Sequence, residues 1–245
     1  MSCTFTGDRG NDVAAVDAAE MLEVDRIAIE ETGPNLYQMM ENAGRNLALE
    51  AQAMLGDGWQ AAAIVVLAGT GGNGGGGITA GRHLQNHGGS IAVVVTDESR
   101  LGAVPAQQLA LFRHAGGEVL EDLPQQAALI IDAIIGYSLQ GEPRGRALDL
   151  IRWANEHPAP VLALDTPSGI DATTGAAPGA AIAATRTLTL ALPKHGLCNA
   201  LAGEIVLADI GIPREVYVRL GRPEAGSVFD GRYRVPLQRN LATDV

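Results

Sequence analysis

The stretch Leu67-Ala-Gly-Thr-Gly-Gly-Asn-Gly-Gly-Gly-Gly-Ile-Thr-Ala-Gly-Arg-His-Leu84 decides the fold, because it places eight glycines and one asparagine between two regular elements. The preceding residues, 62–68, are continuously apolar, as in a parallel strand buried on both faces. Residues 78–86 then show helical spacing. Glycines permit positive φ angles and a close approach of ligand to backbone, and a helix start offers free N–H groups to a phosphate. We predict a ligand-binding glycine loop between strand and helix, with a plain flexible loop as the alternative.

Two phosphate-binding motifs can be compared with this stretch. It contains no lysine, which excludes a Walker A loop. The dinucleotide pattern GxGxxG matches at Gly69, Gly71 and Gly74, and Asp97 follows the next predicted strand, where a ribose-binding acid is expected. A Rossmann-type dinucleotide site therefore stays open as an alternative.

Helical and strand patterns alternate along the chain. Helices are predicted over 12–31, 34–55, 78–86, 105–114 and 146–156, and strands over 62–68, 91–96, 118–120, 129–132, 161–165, 185–190 and 204–208. This alternation predicts an α/β fold with a mostly parallel, doubly wound sheet. We expect one domain over residues 1–245, whose last part, 216–245, is an irregular tail that covers a sheet edge or reaches a partner subunit.

Composition narrows the classes of partner and compartment. The net charge of −11 and the pI near 4.8 disfavour a nucleic-acid partner. No apolar run reaches the roughly 18 residues that cross a bilayer, so no membrane contact is expected. Cys3 and Cys198 are the only cysteines, and we predict neither a disulfide framework nor a zinc site. His83 and His87 lack a third ligand nearby, so no zinc and no haem are expected. The N-terminus does not resemble a signal peptide, which favours a cytoplasmic location.

Polar residues follow three of the predicted strands. Asn73, Asp132, Asp165 and Ser168 should meet at one site, because the carboxyl ends of parallel strands gather at one edge of the sheet. For each aspartate, capping of a helix or loop is the alternative. Two carboxylates brought together require a raised pKa or a cation. An all-oxygen donor set suits a hard cation rather than zinc or copper. The following loop, residues 136–145, is interpreted as a lid or a ligand wall, with a plain surface connection as the alternative.

Six ordered motifs carry a family resemblance. They are Met40-Glu-Asn-Ala-Gly-Arg45, the glycine stretch with Arg82-His-Leu84, Asp132-Ala-Ile-Ile-Gly136, Gly141-Glu-Pro-Arg-Gly145, Leu164-Asp-Thr-Pro-Ser-Gly-Ile-Asp171 and Leu192-Pro-Lys-His-Gly196. Together they resemble the NAD(P)H-hydrate epimerase family, the YjeF N-terminal domain, over about residues 12–215. The resemblance implies a Rossmann-like three-layer αβα sandwich and epimerisation of R- and S-NAD(P)HX, the hydrated forms of NADH and NADPH. It also implies a homodimer and, because this chain has no room for a fused dehydratase domain, a separate NAD(P)HX dehydratase as a partner.

The resemblance also implies roles for individual residues. Asn73, Asp132 and Ser168 match the potassium ligands of the family. Its substrate-binding segments match Gly72, Asn73, Gly74, Gly75, Gly76, Gly136, Tyr137, Ser138, Leu139, Gln140, Gly141, Glu142 and Asp165.

Epimerisation requires the ring hydroxyl to leave and to return on the opposite face. An acid can protonate the departing hydroxyl, and a carboxylate can activate water. Asp165 and Glu142 are the catalytic candidates. We expect Asp165→Asn to leave stability nearly unchanged, or to raise it by relieving repulsion with Asp132.

Two departures from the family pattern mark a divergent member. Where the family has Asn-Asn-Gly-Gly-Asp-Gly, this chain has Gly72-Asn-Gly-Gly-Gly76-Gly, which lacks an amide and a carboxylate. Some members carry a lysine after the second strand, in a segment that here reads Thr96-Asp-Glu98. A catalytically impaired nucleotide-binding module and an enzyme acting on another nucleotide are therefore the alternatives.

Overall fold

The structure, a computed structural model, describes residues 3–241. One sheet holds ten strands: β1 Cys3–Gly7, β2 Asp12–Val13, β3 Ala63–Ala68, β4 Ser90–Val95, β5 Glu118–Leu120, β6 Leu129–Ala133, β7 Val161–Leu164, β8 Arg186–Leu190, β9 Glu204–Ala208 and β10 Arg234–Leu241. The α-helices are α1 Ala18–Ile27, α2 Leu36–Leu55, α3 Gly72–Asn86, α4 Ala103–His114, α5 Gly145–Glu156 and α6 Arg214–Arg219. None of the helices in the described range is long and apolar enough to cross a membrane.

The strand order explains where a ligand can bind. It runs β2-β1-β10-β9-β8-β7-β6-β3-β4-β5. The strands from β5 through β9 in this order pair in parallel, whereas β10, β1 and β2 pair antiparallel at the other end. The chain winds outward from β3 in one direction and from β6 in the other. The crevice between these two strands is therefore the switch point, where open α/β sheets bind ligands.

Helices cover both faces of the parallel strands. On one face, α2, α3 and α4 bury Leu47, Ile78 and Phe112 in a common core with the strands. On the other face, α5 buries Leu150 and Ile151. This arrangement confirms the predicted three-layer α/β sandwich.

The first two helices begin at capping boxes. Asp17 accepts a hydrogen bond from the Glu20 amide and Asn35 accepts one from the Gln38 amide, while both partner side chains bond back to the cap residue. The first helix consequently starts at Ala18 rather than near residue 12, which lies in β2. It continues as a π-turn over residues 28–32 and ends at Gly33, whose φ is +83°.

The glycine run differs from the predicted loop. Helix α3 starts at Gly72, and none of the glycines from 69 to 77 has a positive φ. Their role is close packing. A Cβ on Gly69 would lie 1.9 Å from the Ile134 carbonyl oxygen, and one on Gly77 would lie 2.4 Å from the Ala133 Cβ. The missing side chains let the start of α3 lie directly against the end of β6.

The chain termini contradict two predictions. Residues 216–245 are not an irregular tail, because α6 extends to Arg219 and β10 pairs with both β9 and β1; residues 242–245 lie outside the described part.

The prediction of no disulfide is also wrong. Strand β1 carries Cys3 to Cys198, and the two form a disulfide. Strand β1 pairs with β2 close by in sequence and, on its other side, with β10, whose paired residues lie 230 to 238 positions away.

Candidate functional site

A cavity of about 200 Å³ lies at the carboxyl ends of β3, β6, β7 and β8, at the switch point. Helices α1 and α2 form its apolar wall with Met21, Leu36, Met39, Met40 and Ala43. The opposite side is polar and is lined by Gly72, Asn73, Gly76, Gly136, Tyr137, Ser138, Asp165 and Lys194, and Asp25 reaches the cavity from α1. An apolar slot with a few convergent polar groups is typical of a small-molecule site.

Asp165 and Lys194 form an ion pair on the polar side. The Lys194 side chain is fully buried, and its Nζ donates to Asp165 Oδ1 and, at 2.9 Å, to the Leu190 carbonyl. The other carboxylate oxygen, Oδ2, accepts a hydrogen bond from the Tyr137 amide at 3.2 Å. Because all of these partners are fixed, the Asp165 carboxylate is held in one orientation at the cavity.

The turns that carry this pair are strained. Asp165 has φ +69° and the Thr166 amide donates to the Leu164 carbonyl across it. Ala191 has φ +61° and the Leu192 amide donates to the Leu190 carbonyl in the same way. A positive φ with this two-residue hydrogen bond is the rare γ-turn. Strained backbone of this kind clusters at functional sites.

Asp132 lies fully buried at the end of β6. Its Oδ2 accepts from the Ser168 amide at 2.8 Å, and its Oδ1 accepts from the Ser168 hydroxyl at 2.5 Å and the Ile134 amide at 3.2 Å. Burial raises the pKa of Asp132 to about 6, while these hydrogen bonds act against the rise. The predicted mutual repulsion with Asp165 is not the cause, since Asp165 has Lys194 as its counterion.

Asn73 is the second residue of α3, and its side chain approaches Asp165 at Gly136. A Cβ on Gly136 would lie 3.1 Å from Asn73 Oδ1 and 3.3 Å from Asp165 Oδ2, so a glycine at this position lets the two side chains converge. Asn73 Nδ2 is buried and has no hydrogen-bond partner among the described residues. Helix α3 starts one residue earlier, at Gly72, without a side-chain cap, which leaves its first N–H groups available to a ligand.

Tyr137 connects the polar side to α1. Its phenol donates to Asp25 Oδ2 at 2.6 Å. Burial raises the pKa of the Asp25 carboxyl, against the effects of this hydrogen bond and of the Lys194 charge, while the Asp165 charge adds to the rise. Burial, together with the Asp25 charge, also raises the pKa of Tyr137. The phenol is therefore a permanent donor at neutral pH.

The structure brings some of the predicted site residues together and separates others. Those that line the cavity are Gly72, Asn73, Gly76, Gly136, Tyr137, Ser138 and Asp165. Gly74 and Gly75 are buried in the packing of α3. Leu139, Gln140, Gly141 and Glu142 do not line the cavity, and Glu142 is exposed, with its side chain beside Gly179. Asp97 caps a short turn by bonding to Ser99 and does not reach the cavity either.

Two cavity residues escaped the sequence-based choice of site residues. Lys194 lies in the Leu192-Pro-Lys-His-Gly196 motif, shortly after the end of β8. That position could have marked it as a site residue, because ligands bind at the carboxyl ends of parallel strands. Asp25 lies within the amphipathic pattern of α1, one turn after Met21, and nothing in that pattern separates it from a solvent-facing acid.

Several known proteins are similar to this chain. Residues 36–196 match the family model described as YjeF-related protein N-terminus. An NAD(P)H-hydrate epimerase of Dehalogenimonas lykanthroporepellens is 46% identical over 240 residues, which cover 97% of this chain and 98% of that protein. A bifunctional NAD(P)H-hydrate repair enzyme of Hyperthermus butylicus is 36% identical over 86% of this chain, which spans only 39% of that protein.

A solved structure supports the same fold. The yeast protein ynu0 superimposes with a TM-score of 0.75 at 23% sequence identity, over 85% of this chain and 94% of its own. The sequence matches and the shared fold agree with each other over most of the chain. This protein therefore belongs to the YjeF-related protein N-terminus family.

Proposed function

We propose that this protein is an isomerase that epimerises the hydrated nicotinamide ring of NADHX and NADPHX, as a step in nicotinamide nucleotide repair. The observation that carries the proposal is the 46% identity to an NAD(P)H-hydrate epimerase along almost the whole of both chains. The site agrees with it, because a fixed carboxylate, a buried lysine and an apolar wall meet in the cavity at the carboxyl ends of the strands next to the switch point.

The cavity suits one end of the substrate. Small-molecule sites commonly enclose roughly 300–1,000 Å³. This cavity, at about 200 Å³, is smaller, so it matches the nicotinamide ring, with the rest of the nucleotide leading outward. The methionines of α1 and α2 would contact the ring, and the uncapped start of α3 would face the phosphates.

Asp165 is the first proton-transfer group in this proposal. At C6 of the ring, the C–O bond breaks with its electron pair going to oxygen, the oxygen takes a proton, and the ring nitrogen supplies electrons to C6. Water then adds to the opposite face and gives up a proton. Hydrogen bonds from Lys194 and Tyr137 hold the Asp165 carboxylate in place for one of these transfers.

We also propose that Asn73, Asp132 and Ser168 hold a potassium ion. Asp132 is fully buried, and all of its hydrogen-bond donors are neutral. No Arg, Lys or His in residues 3–241 forms an ion pair with it, which leaves an uncompensated buried charge. One carboxylate among neutral oxygens fits a monovalent hard cation.

Assembly and location complete the proposal. Exposed Leu22, Tyr37 and Val218 on α1, α2 and α6 support a homodimer. Sedimentation at micromolar concentration tests it, and a monomer throughout would contradict it.

NAD(P)HX arises wherever NADH and NADPH are kept, which supports a cytoplasmic location and cooperation with a separate dehydratase. Thiol-specific labelling in cell extracts would report whether Cys3 and Cys198 are reduced there.

The direct test uses the R epimer of NADHX. Purified protein is mixed with this epimer, and the appearance of the S epimer is followed by chromatography. We expect catalytic interconversion until both epimers reach equilibrium. Binding of the R epimer without interconversion would contradict the proposal and support a nucleotide-binding module.

A further inference from the structure

Asp25 is an acid in an otherwise apolar wall. It lies one helical turn from Met21, and both residues line the cavity from α1. The neighbouring Arg26 bonds to Glu23, Glu30 and Glu31 instead. Within residues 3–241, no Arg, Lys or His forms an ion pair with Asp25. A carboxyl in such a wall without a counterion costs folding free energy, so packing alone does not explain its presence.

Tyr137 fixes Asp25 relative to Asp165. The phenol of Tyr137 donates to Asp25 Oδ2 at 2.6 Å, and its amide donates to Asp165 Oδ2 at 3.2 Å. One residue therefore holds both carboxyl groups, which reach the cavity from α1 and from the end of β7. Asp25 Oδ1 makes no hydrogen bond within the described chain and is free to meet a ligand in the cavity.

We propose that Asp25 is the second catalytic residue, which exchanges a proton with the substrate across the ring from Asp165, and that Tyr137 is its positioning residue. This inference rests on the proposed epimerase function. It replaces Glu142, which is exposed and does not line the cavity.

Epimerisation needs a proton-transfer group on each face of the ring. In one direction, the first carboxylic acid protonates the departing hydroxyl, which leaves as water while the ring nitrogen forms a C=N bond to C6. A water then adds from the other face and transfers a proton to the second carboxylate. The two carboxyl groups have exchanged protonation states, no net oxidation has occurred, and the reverse reaction uses them in opposite roles.

The electrostatic surroundings of the two carboxyl groups differ as this scheme requires. Burial raises the pKa of Asp25, whereas Asp165 has a direct lysine counterion. Three groups face Asp25: Tyr137 and Lys194 favour the ionised form of Asp25, and Asp165 opposes that form. Tyr217 of α6 is also close, since the charge of Asp25 helps to raise the pKa of Tyr217. Unlike surroundings of two acids at one site separate their roles as acid and base.

The test compares Asp25→Asn with the wild type. With R- and S-NADHX supplied in turn, we expect Asp25→Asn to lower kcat by about 10²–10⁴-fold in both directions, with much less effect on KM. Asp149→Asn, the same change at an exposed position on α5, is the matched control and should retain wild-type kinetics and melting temperature.

Tyr137→Phe gives a second measurement that does not depend on the folding of Asp25→Asn. Loss of the phenol removes a hydrogen bond that favours the ionised form of Asp25, so the corresponding limb of the kcat–pH profile should move to higher pH. An unmoved limb, or Asp25→Asn with kcat within threefold of the wild type, would overturn the role of Asp25 and leave the epimerase function standing. A wild type that does not interconvert the epimers would overturn both.

Discussion

Lys194 and Asp165 form a buried ion pair although they lie 29 positions apart, because each comes from a turn at the end of one of two adjacent parallel strands. The Asp165 amide also donates to the Leu188 carbonyl of β8, so the turn itself is fixed to the neighbouring strand. The segment around Lys194 is also hydrogen-bonded to Val16 near the N-terminus. The Val16 amide donates to the Pro193 carbonyl, and the His195 amide donates to the Val16 carbonyl. The site is thus held by both the parallel sheet and the N-terminus.

Replacing Asp165 should affect stability as well as catalysis. Asp165→Asn removes the counterion of a fully buried lysine, and breaking a buried pair from one side commonly costs about 3–5 kcal/mol. This reverses the expectation from sequence, which considered only repulsion by Asp132. Urea unfolding and the epimerisation assay measure the two effects, and kcat should fall by about 10²–10⁴-fold.

The double variant Asp165→Asn/Lys194→Met separates the two roles. It removes both charges and should recover part of the lost stability without recovering activity. A single Asp165→Asn variant as stable as the wild type would contradict the ion pair as a stabilising contact.

The glycines of α3 should respond differently to alanine. Gly77→Ala places a methyl group 2.4 Å from the Ala133 Cβ, and we expect a loss of about 1–3 kcal/mol in the free energy of unfolding. Gly72→Ala is the matched control in the same helix, because its Cβ would meet nothing within 4 Å, and it should stabilise by about 0.5 kcal/mol. Equal effects at both positions would argue against packing as the reason for the glycine run.

Potassium should stabilise the protein in a pH-dependent way. Without a cation, the pKa of Asp132 is about 6 in the folded protein and 3.8 in the unfolded chain, so the folded state binds the proton more tightly. The stabilisation that this proton binding supplies is fully present below pH 3.8 and is lost as the pH rises through about 6. A bound cation favours the ionised form, so replacing tetramethylammonium chloride with KCl should raise Tm at pH 8 and much less at pH 5.

At a concentration 100 times Kd the stabilisation would be about 2.7 kcal/mol. Asp132→Asn should abolish the response to potassium. An identical Tm in both salts at pH 8, measured over a wide concentration range, would count against the cation site.

The disulfide should stabilise the protein because it closes a long loop and so lowers the conformational entropy of the unfolded chain. Cys3 and Cys198 are separated by 195 residues, and loss of such a cross-link commonly costs about 2–5 kcal/mol. Unfolding in urea with and without dithiothreitol measures this difference. Cys3→Ser should match the reduced wild type in both conditions. Titration of two free thiols in the oxidised native protein would contradict the bond.

The helices and parallel strands from residue 34 to residue 208 could be predicted from the sequence because their signals are local. Buried parallel strands such as β3 are continuously apolar, and amphipathic helices such as α5 repeat with a period of 3.6 residues. Strands β1 and β10 escaped prediction because they pair with each other across 230 to 238 positions, and Pro236 within β10 weakens its strand pattern. The same remote pairing brings Cys3 to Cys198.

The sequence by itself determined the α/β class, the family and the candidates Asn73, Asp132, Asp165 and Ser168, because motifs and the ends of strands are properties of the chain. Only the tertiary structure decided that Lys194 is the counterion of Asp165, that Asp25 reaches the cavity and that Glu142 does not. Each of these depends on which side chains meet across the crevice between strand ends and helices. That meeting is set by sheet order and helix packing over long separations, and no local pattern of residues records it.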